Sequence, residues 1–126
     1  MQQKKILIVD DVDFNINFES KLIKNLMVGY KIHVQIDAAN TIKEAVKMIE
    51  KHEPFDAMII DMNLPDGEGV EIAKFAREKS GHTRLAALTI YPDTYEKERA
   101  YFDLYLRKPI MVDTFKQNII RLLKLP

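Results

Sequence analysis

An alternation between two hydrophobic periods constrains this chain more than any other feature. Short apolar runs at 5–9, 31–36, 57–60, 85–90 and 104–106 are each followed by a stretch with helical spacing. Runs of this length rich in Ile, Val and Leu read as strands. Along 13–28, Phe14, Phe18, Leu22 and Leu26, with Ile23, recur at the interval of one helical face, and Gly29 is the expected stop. The run at 31–36 alternates Ile32, Val34 and Ile36 with polar neighbours up to Asp37, as an edge strand with one exposed face would. Thr41 and Glu44 form a T-x-x-E capping box before a helix that turns Ala45, Val46 and Ile49 inward, and Pro54 closes the connection. The wholly apolar run at 57–60 is expected at the centre of a sheet. The segment 68–80 opens on the helix-start acid Glu68, carries Val70, Ile72, Ala73 and Phe75, and stops at Gly81. The charged segment 93–102 also reads as helix. Asp113 is the expected cap of a last helix with Phe115, Ile119, Ile120, Leu122 and Leu123 inside.

Strands joined in this way by helices give an α/β fold, an open parallel sheet covered on both faces through right-handed crossovers. The 126 residues suit one domain, 1–126, without linker, repeat or output domain, and Met1 just before the first strand is the expected natural N-terminus. Lys and Arg number 19, as do Asp and Glu, so no bulk charge attracts nucleic acid or an anionic membrane. Cysteine is absent, which excludes disulfides and thiolate metal sites and suits a reducing compartment. No apolar run reaches the length of a signal-peptide core or a membrane span, so a cytoplasmic location is expected.

Ligands of such sheets bind beyond the carboxyl ends of the strands. There the chain places Asp10 and Asp11, then Asp61, then Thr89, then Lys108 before Pro109. Each has an ordinary explanation taken singly: a helix cap, a structural hydroxyl, a solvated surface lysine. Together they are a different matter. Carboxylates gathered at one edge repel by about 4 kcal/mol per close pair at an effective dielectric near 20. Such a cluster needs a cation or a lysine, and hard oxygen donors without His or Cys favour Mg²⁺. Metal, lysine and hydroxyl are what a transferring phosphoryl group needs around its oxygens, with the Asp61 carboxylate as nucleophile.

These residues carry a resemblance across essentially the whole chain. "ILIVDD" at 6–11, "DAMIIDMNLPDGEG" at 56–69, "LAALT" at 85–89 and "YLRKP" at 105–109 stand in the order found in receiver domains of two-component response regulators, which the sequence resembles. The resemblance implies a flavodoxin-like doubly wound sheet of five parallel strands, order 2-1-3-4-5, with five helices. It implies that Asp61 is the phosphoacceptor and that Asp10, Asp11, Asp61 and the backbone carbonyl of Asn63 hold Mg²⁺. It implies that Lys108 pairs with the phosphoryl group and that Thr89 and Tyr105 are the switch pair. It also implies a cis bond before Pro109. The implied activity is a signalling switch, not an enzyme beyond self-catalysed phosphoryl transfer and autodephosphorylation. The phosphodonor would be a sensor histidine kinase or a histidine phosphotransfer protein. The output face would be 93–102, the last strand and the last helix. A homodimer on phosphorylation is compatible with that face, and neither direct nucleic-acid nor membrane binding is implied.

The sequence departs from this pattern in places. Ile90 stands where a small residue is usual; it either extends the strand into the core or narrows access to the phosphoryl group. The segment between Thr89 and Lys108 is short and carries Tyr91, Tyr95, Tyr101 and Phe102, as core patches or as a partner surface. Asn15, four residues after Asp11, is similar to receivers of hybrid kinases. His33, His52 and His82 lie away from the strand ends. Two alternatives are a receiver-like interaction module that takes no phosphate, and an Asp-nucleophile phosphatase. The second fits poorly, because Val12 stands where such enzymes have a second Asp, and the chain is too short for their cap. A P-loop or G-x-G-x-x-G is lacking after the first strand.

Overall fold

Where the backbone is buried on both sides, side chains must be apolar in both directions, and this sorts the strands. The computed structural model describes residues 2–51, 54–90 and 100–126. In chain order it contains β1 (Gln2–Val9), α1 (Asp13–Tyr30), β2 (Ile32–Ala39), α2 (Ile42–Lys51), β3 (Ala57–Asp61), β4 (Asn63–Leu64), β5 (Gly67–Glu68), α3 (Val70–Lys79), β6 (Arg84–Thr89), β7 (Leu104–Arg107) and α4 (Val112–Leu122). Every residue of β3 is buried, and β3 takes the centre of a sheet ordered β2-β1-β3-β6-β7. All its pairings are parallel. With the two-residue β4–β5 hairpin set aside, this is the expected order 2-1-3-4-5. Most of the helix expected over 93–102 lies outside the described residues; Ala100 and Tyr101 form a short 3-10 turn.

The period of two along each strand divides the core. Leu7, Met58, Ile60 and Ala87 face the side covered by α2 and α3. Ile8, Ile59, Leu88 and Leu106 face the side covered by α1 and α4. Phe102 is buried in the first core and Tyr101 packs at its margin. Lys74 lies 5.4 Å from the Tyr101 ring centre. These two aromatics therefore patch the core, while Tyr91 and Tyr95 lie outside the described residues.

Several local expectations are corrected. In α1 the buried residues are Ile16, Glu19, Leu22, Ile23 and Met27, while Phe14 is 74% exposed. Leu22 and Ile23 are inside as expected and Phe18 and Leu26 pack against the same core, so only Phe14 falls outside the inner face, which Ile16, Glu19 and Met27 complete. The helix passes through Gly29 and ends where Lys31 turns left-handed (φ 56°), its N–H donating to the Met27 and Val28 carbonyls. β2 continues through Asp37, paired with Leu7, to Ala39. Glu68 belongs to β5, opposite Asn63, and the first-turn acid of α3 is Glu71. The α3 C-cap is Ser80 rather than Gly81. Asp113 lies in the first turn of α4 and does not cap it. Ile90 is 44% exposed, not in the core.

Local and long-range caps hold the site's surroundings. The Thr41 hydroxyl accepts from the Glu44 N–H at 3.1 Å, and the Glu44 carboxylate accepts from the Asn40 N–H at 3.2 Å. Asp66, in the β4–β5 turn, accepts from the Ile42 and Lys43 N–H groups at 2.9 and 3.2 Å, which holds its carboxyl below the usual range. At the opposite end of the sheet, Asp103 accepts from the Leu85 N–H and from Arg77. Burial pushes the Asp103 carboxyl up, but the Leu85 N–H, Arg77 and Arg84 outweigh it and hold it below the usual range.

Gly69 brings the turn back onto the strand end. A β-carbon there would lie 2.5 Å from the Asp61 carbonyl oxygen and 2.7 Å from the Ile60 Cγ2 atom. Both neighbours are fixed in the central strand, so Gly69→Ala is expected to cost about 1–3 kcal/mol. Urea denaturation measures this; an unchanged midpoint would contradict so close an approach.

Candidate functional site

Three strand ends project their side chains to one side of the sheet. The rows Ile6–Ile8, Ala57–Ile59 and Leu104–Leu106 line the α1 and α4 side, and by alternation they continue into Asp10, Asp61 and Lys108. The ladder holds past the strand ends: the Asp10 N–H donates to the Ala39 carbonyl and the Lys108 N–H to the Thr89 carbonyl, both at 3.0 Å. The Lys108–Pro109 peptide is cis.

Asp61 is the last residue of β3 and is 3% exposed. Its Oδ1 accepts from the Asn63 N–H at 3.0 Å and its Oδ2 from the Lys108 ammonium at 3.1 Å. The same ammonium lies 4.0 Å from Asp10 Oδ2. Asp10 is 1% exposed. Its Oδ1 accepts from the Val12 N–H at 2.9 Å, and the Asn15 amide lies 3.4–3.5 Å from both oxygens. Burial pushes the Asp10 carboxyl up and the Asp61 charge adds to this, against the Val12 N–H, Lys108 and Asn15. Asp11 is exposed, and one oxygen each of Asp10, Asp11 and Asp61 lie within 4.8 Å of one another. Three hard oxygen donors this close, facing the Lys108 ammonium, fit a small divalent cation such as Mg²⁺.

Thr89 is buried at the end of β6, on the row of Leu85 and Ala87. Tyr105 is paired with Ala87 across the ladder and meets Phe102 edge to face at 5.4 Å. Both therefore belong to the α2–α3 side of the sheet, at the edge next to Lys108. Ile90 lines a groove of about 430 Å³ with Phe14, Phe18, Pro109 and Lys108. His33 and His82 are exposed away from the site, and His52 lies outside the described residues.

Two contributors escaped the sequence reading. Asn40 donates through its amide to the Asp10 carbonyl and to Asp13, both at 3.0 Å, fastening the start of α1 to the end of β2. Glu19 is fully buried on the inner face of α1, and neither carboxylate oxygen has a hydrogen-bond partner among the described residues. Burial first, then the charges of Asp10 and Asp61, push its carboxyl up to about 8 against the pull of Lys108. Its spacing was the available signal, three residues from both Ile16 and Leu22.

The family described as response regulator receiver domain matches residues 6–120. Among curated proteins, the response regulator protein PilR of Pseudomonas aeruginosa is 27% identical over 99% of this chain and 27% of its own length. Hybrid signal transduction histidine kinase G of Dictyostelium discoideum is 28% identical over 95% of this chain and 4% of its own. The chain thus spans a small part of these relatives. Among solved structures, the response regulator TrrA of Thermotoga maritima, in complex with Mg²⁺ and BeF, is 29% identical, with a TM-score of 0.74 over 95% of this chain and 99% of that one. A two-component response regulator from Clostridium difficile is 25% identical, with a TM-score of 0.77 over 98% of each chain. No helix among the described residues is long and apolar enough to cross a membrane.

Glu19 makes stability depend on pH. Its folded value, about 8, lies above the ordinary 4.5, so the folded chain holds the proton more tightly. The contribution is full below the unfolded value and is lost as pH rises through the folded one. Glu19→Gln is therefore expected to gain stability over the wild type between pH 5 and pH 8.5. Denaturant midpoints at the two pH values check this; an equal difference at both would contradict it.

Proposed function

The chain belongs to the response regulator receiver family, and on that premise we propose that Asp61 accepts a phosphoryl group from a histidine of a partner protein. The observation that carries the reading is the pairing of Asp61 with Lys108 at 3.1 Å, beside two further carboxylates, Asp10 and Asp11, each with an oxygen within 4.8 Å of the others in the cluster. Receiver domains of this family work as signalling switches in two-component systems. The acidic pocket here suits the Mg²⁺ on which such a reaction would depend.

An Asp61 oxygen attacks the phosphorus of the phosphohistidine. The new O–P bond replaces the P–N bond, the imidazole leaves and regains its proton from solvent, and an acyl phosphate remains. Asp10, Asp11, Asp61 and the Asn63 carbonyl would hold Mg²⁺, which supplies positive charge to the phosphoryl oxygens. Lys108 begins paired with Asp61 and moves its ammonium onto the phosphoryl oxygens as the carboxylate becomes an ester-like group. The Asn63 N–H holds the other Asp61 oxygen and orients the nucleophile. Water later attacks the same phosphorus and restores the carboxylate.

The readout proceeds through Thr89 and Tyr105. The phosphoryl group draws the Thr89 hydroxyl, and Tyr105 packs into the space released, shifting its contact with Phe102. The face bearing β7 and α4 then changes its preference between two arrangements. A sensor histidine kinase or histidine phosphotransfer protein is the proposed donor, and a homodimer through that face a compatible consequence. The reading is of a receiver domain acting in the cytoplasm without direct nucleic-acid binding.

Incubation with acetyl phosphate and Mg²⁺, followed by mass spectrometry, tests the acceptor. One phosphoryl adduct is expected in the wild type and none in Asp61→Asn, while Lys108→Ala slows labelling by roughly 10²–10³-fold, the scale for losing one charge-stabilising group. Equal labelling of wild type and Asp61→Asn would contradict the assignment. Ile90, at the groove mouth beside Lys108, restricts water, so Ile90→Ala is expected to shorten the lifetime of the adduct. An unchanged dephosphorylation rate would remove Ile90 from the account.

A further inference from the structure

Three acids are buried among the described residues, and the acceptor chemistry uses two of them, Asp10 and Asp61. The third, Glu19, occupies a core position in α1 between Ile16 and Ile23, on the side of the sheet whose rows end in Asp10, Asp61 and Lys108. Neither of its oxygens receives a hydrogen bond from the described residues. Asn15, one turn earlier on α1, is directed at Asp10. The charged groups that bear on Glu19 are Asp10 beyond β1, Asp61 at the end of β3 and Lys108 beyond β7. A carboxylate enclosed without donors is costly, so the acid form is favoured. The Lys108 charge opposes this. A divalent cation among Asp10, Asp11 and Asp61 would add two positive charges beside Asp10 and Asp61, the carboxylates that already act on Glu19.

We propose that Glu19 is a proton-exchanging carboxyl behind the acceptor site, which gives up its proton when a divalent cation binds between Asp10, Asp11 and Asp61. The inference rests on the cation reading above. The exchange balances: one cation enters, one proton leaves Glu19 for solvent, and the net charge rises by one instead of two. Glu19 touches neither cation nor phosphoryl group. It is a positioning residue, acting through the field it shares with Asp10 and Lys108. Cation binding therefore strengthens with rising pH, by at most about tenfold per pH unit as Glu19 ionises. A site whose cation displaced no proton would show no such dependence.

Calorimetric titration of MgCl₂ into the full chain at neutral pH, in two buffers of different ionisation enthalpy, counts the protons released. The wild type is expected to release a substantial fraction of one proton per ion. Glu19→Gln, and Glu19→Leu as a variant suited to the apolar face, are expected to lose most of that release and to bind with affinity nearly independent of pH. Equal release in wild type and variants overturns the role of Glu19 while leaving cation binding intact. No binding in any of the three overturns the cation reading itself. The wild type also permits a check without substitution: the Glu19 carboxyl carbon, followed by NMR, is expected to titrate near pH 8 without Mg²⁺ and at lower pH with it. A midpoint that Mg²⁺ leaves in place overturns the proposal.

Discussion

The Lys108 ammonium on Asp61, with Asp10 just beyond, is the interaction on which the site depends. Two carboxylates at 1% and 3% exposure cannot share one edge of a sheet without an opposing charge. The lysine reaches them only because the parallel ladder carries β7 to the right height, and the bond from the Lys108 N–H to the Thr89 carbonyl extends that ladder one step past the strand. A slip of one residue in β7 would turn Lys108 to the other face and leave the acids uncompensated. Asp103 guards against this at the far end: its carboxylate accepts from Leu85 and Arg77, which pins the entry of β7 to β6.

The site concentrates unfavourable charge, and the fold compensates elsewhere. Two continuous cores run along the sheet and hold its edge rigid. Asn40 ties the end of β2 to the first turn of α1, and Asp66 caps α2 from the turn after β3. The surroundings of the acidic edge are thus braced from two loops, while Asp11 stays exposed. Glu19 adds a further buried acid where an apolar side chain would pack more favourably. A costly buried acid on the side of the sheet that ends in the charged site fits the general pattern of stability yielded to function.

Much of this was legible in the sequence, for a physical reason. A parallel sheet gathers its strand ends, so residues far apart in the chain could be compared directly, and Asp10, Asp61 and Lys108 meet as their positions imply. The central place of β3 followed from an unbroken apolar run. The inner face of α1 was legible in Leu22 and Ile23 and in the flanking Phe18 and Leu26, but not at its edges, where packing leaves Phe14 outside and takes in Ile16 and Met27. Glu19 was hidden, since a Glu on a helix is ordinarily solvated. Asp66 and Asn40 act across 24 and 30 residues, a reach that local capping patterns do not encode. Lys31 took the left-handed cap that Gly29 was expected to supply, and nothing in composition announces that.

The central claim is that Asp61 presents its carboxylate to a phosphoryl group within a cation-assisted, lysine-paired site. The most direct test is a crystal structure of the chain grown with Mg²⁺ and beryllium fluoride, a stable mimic of the acyl phosphate. The account predicts the fluoride adduct on an Asp61 oxygen, Mg²⁺ bound by the Asp10–Asp11–Asp61 cluster, and the Lys108 ammonium moved from Asp61 onto a fluorine. An adduct on another residue, or Mg²⁺ bound away from the three carboxylates while Lys108 keeps its bond to Asp61, would contradict it.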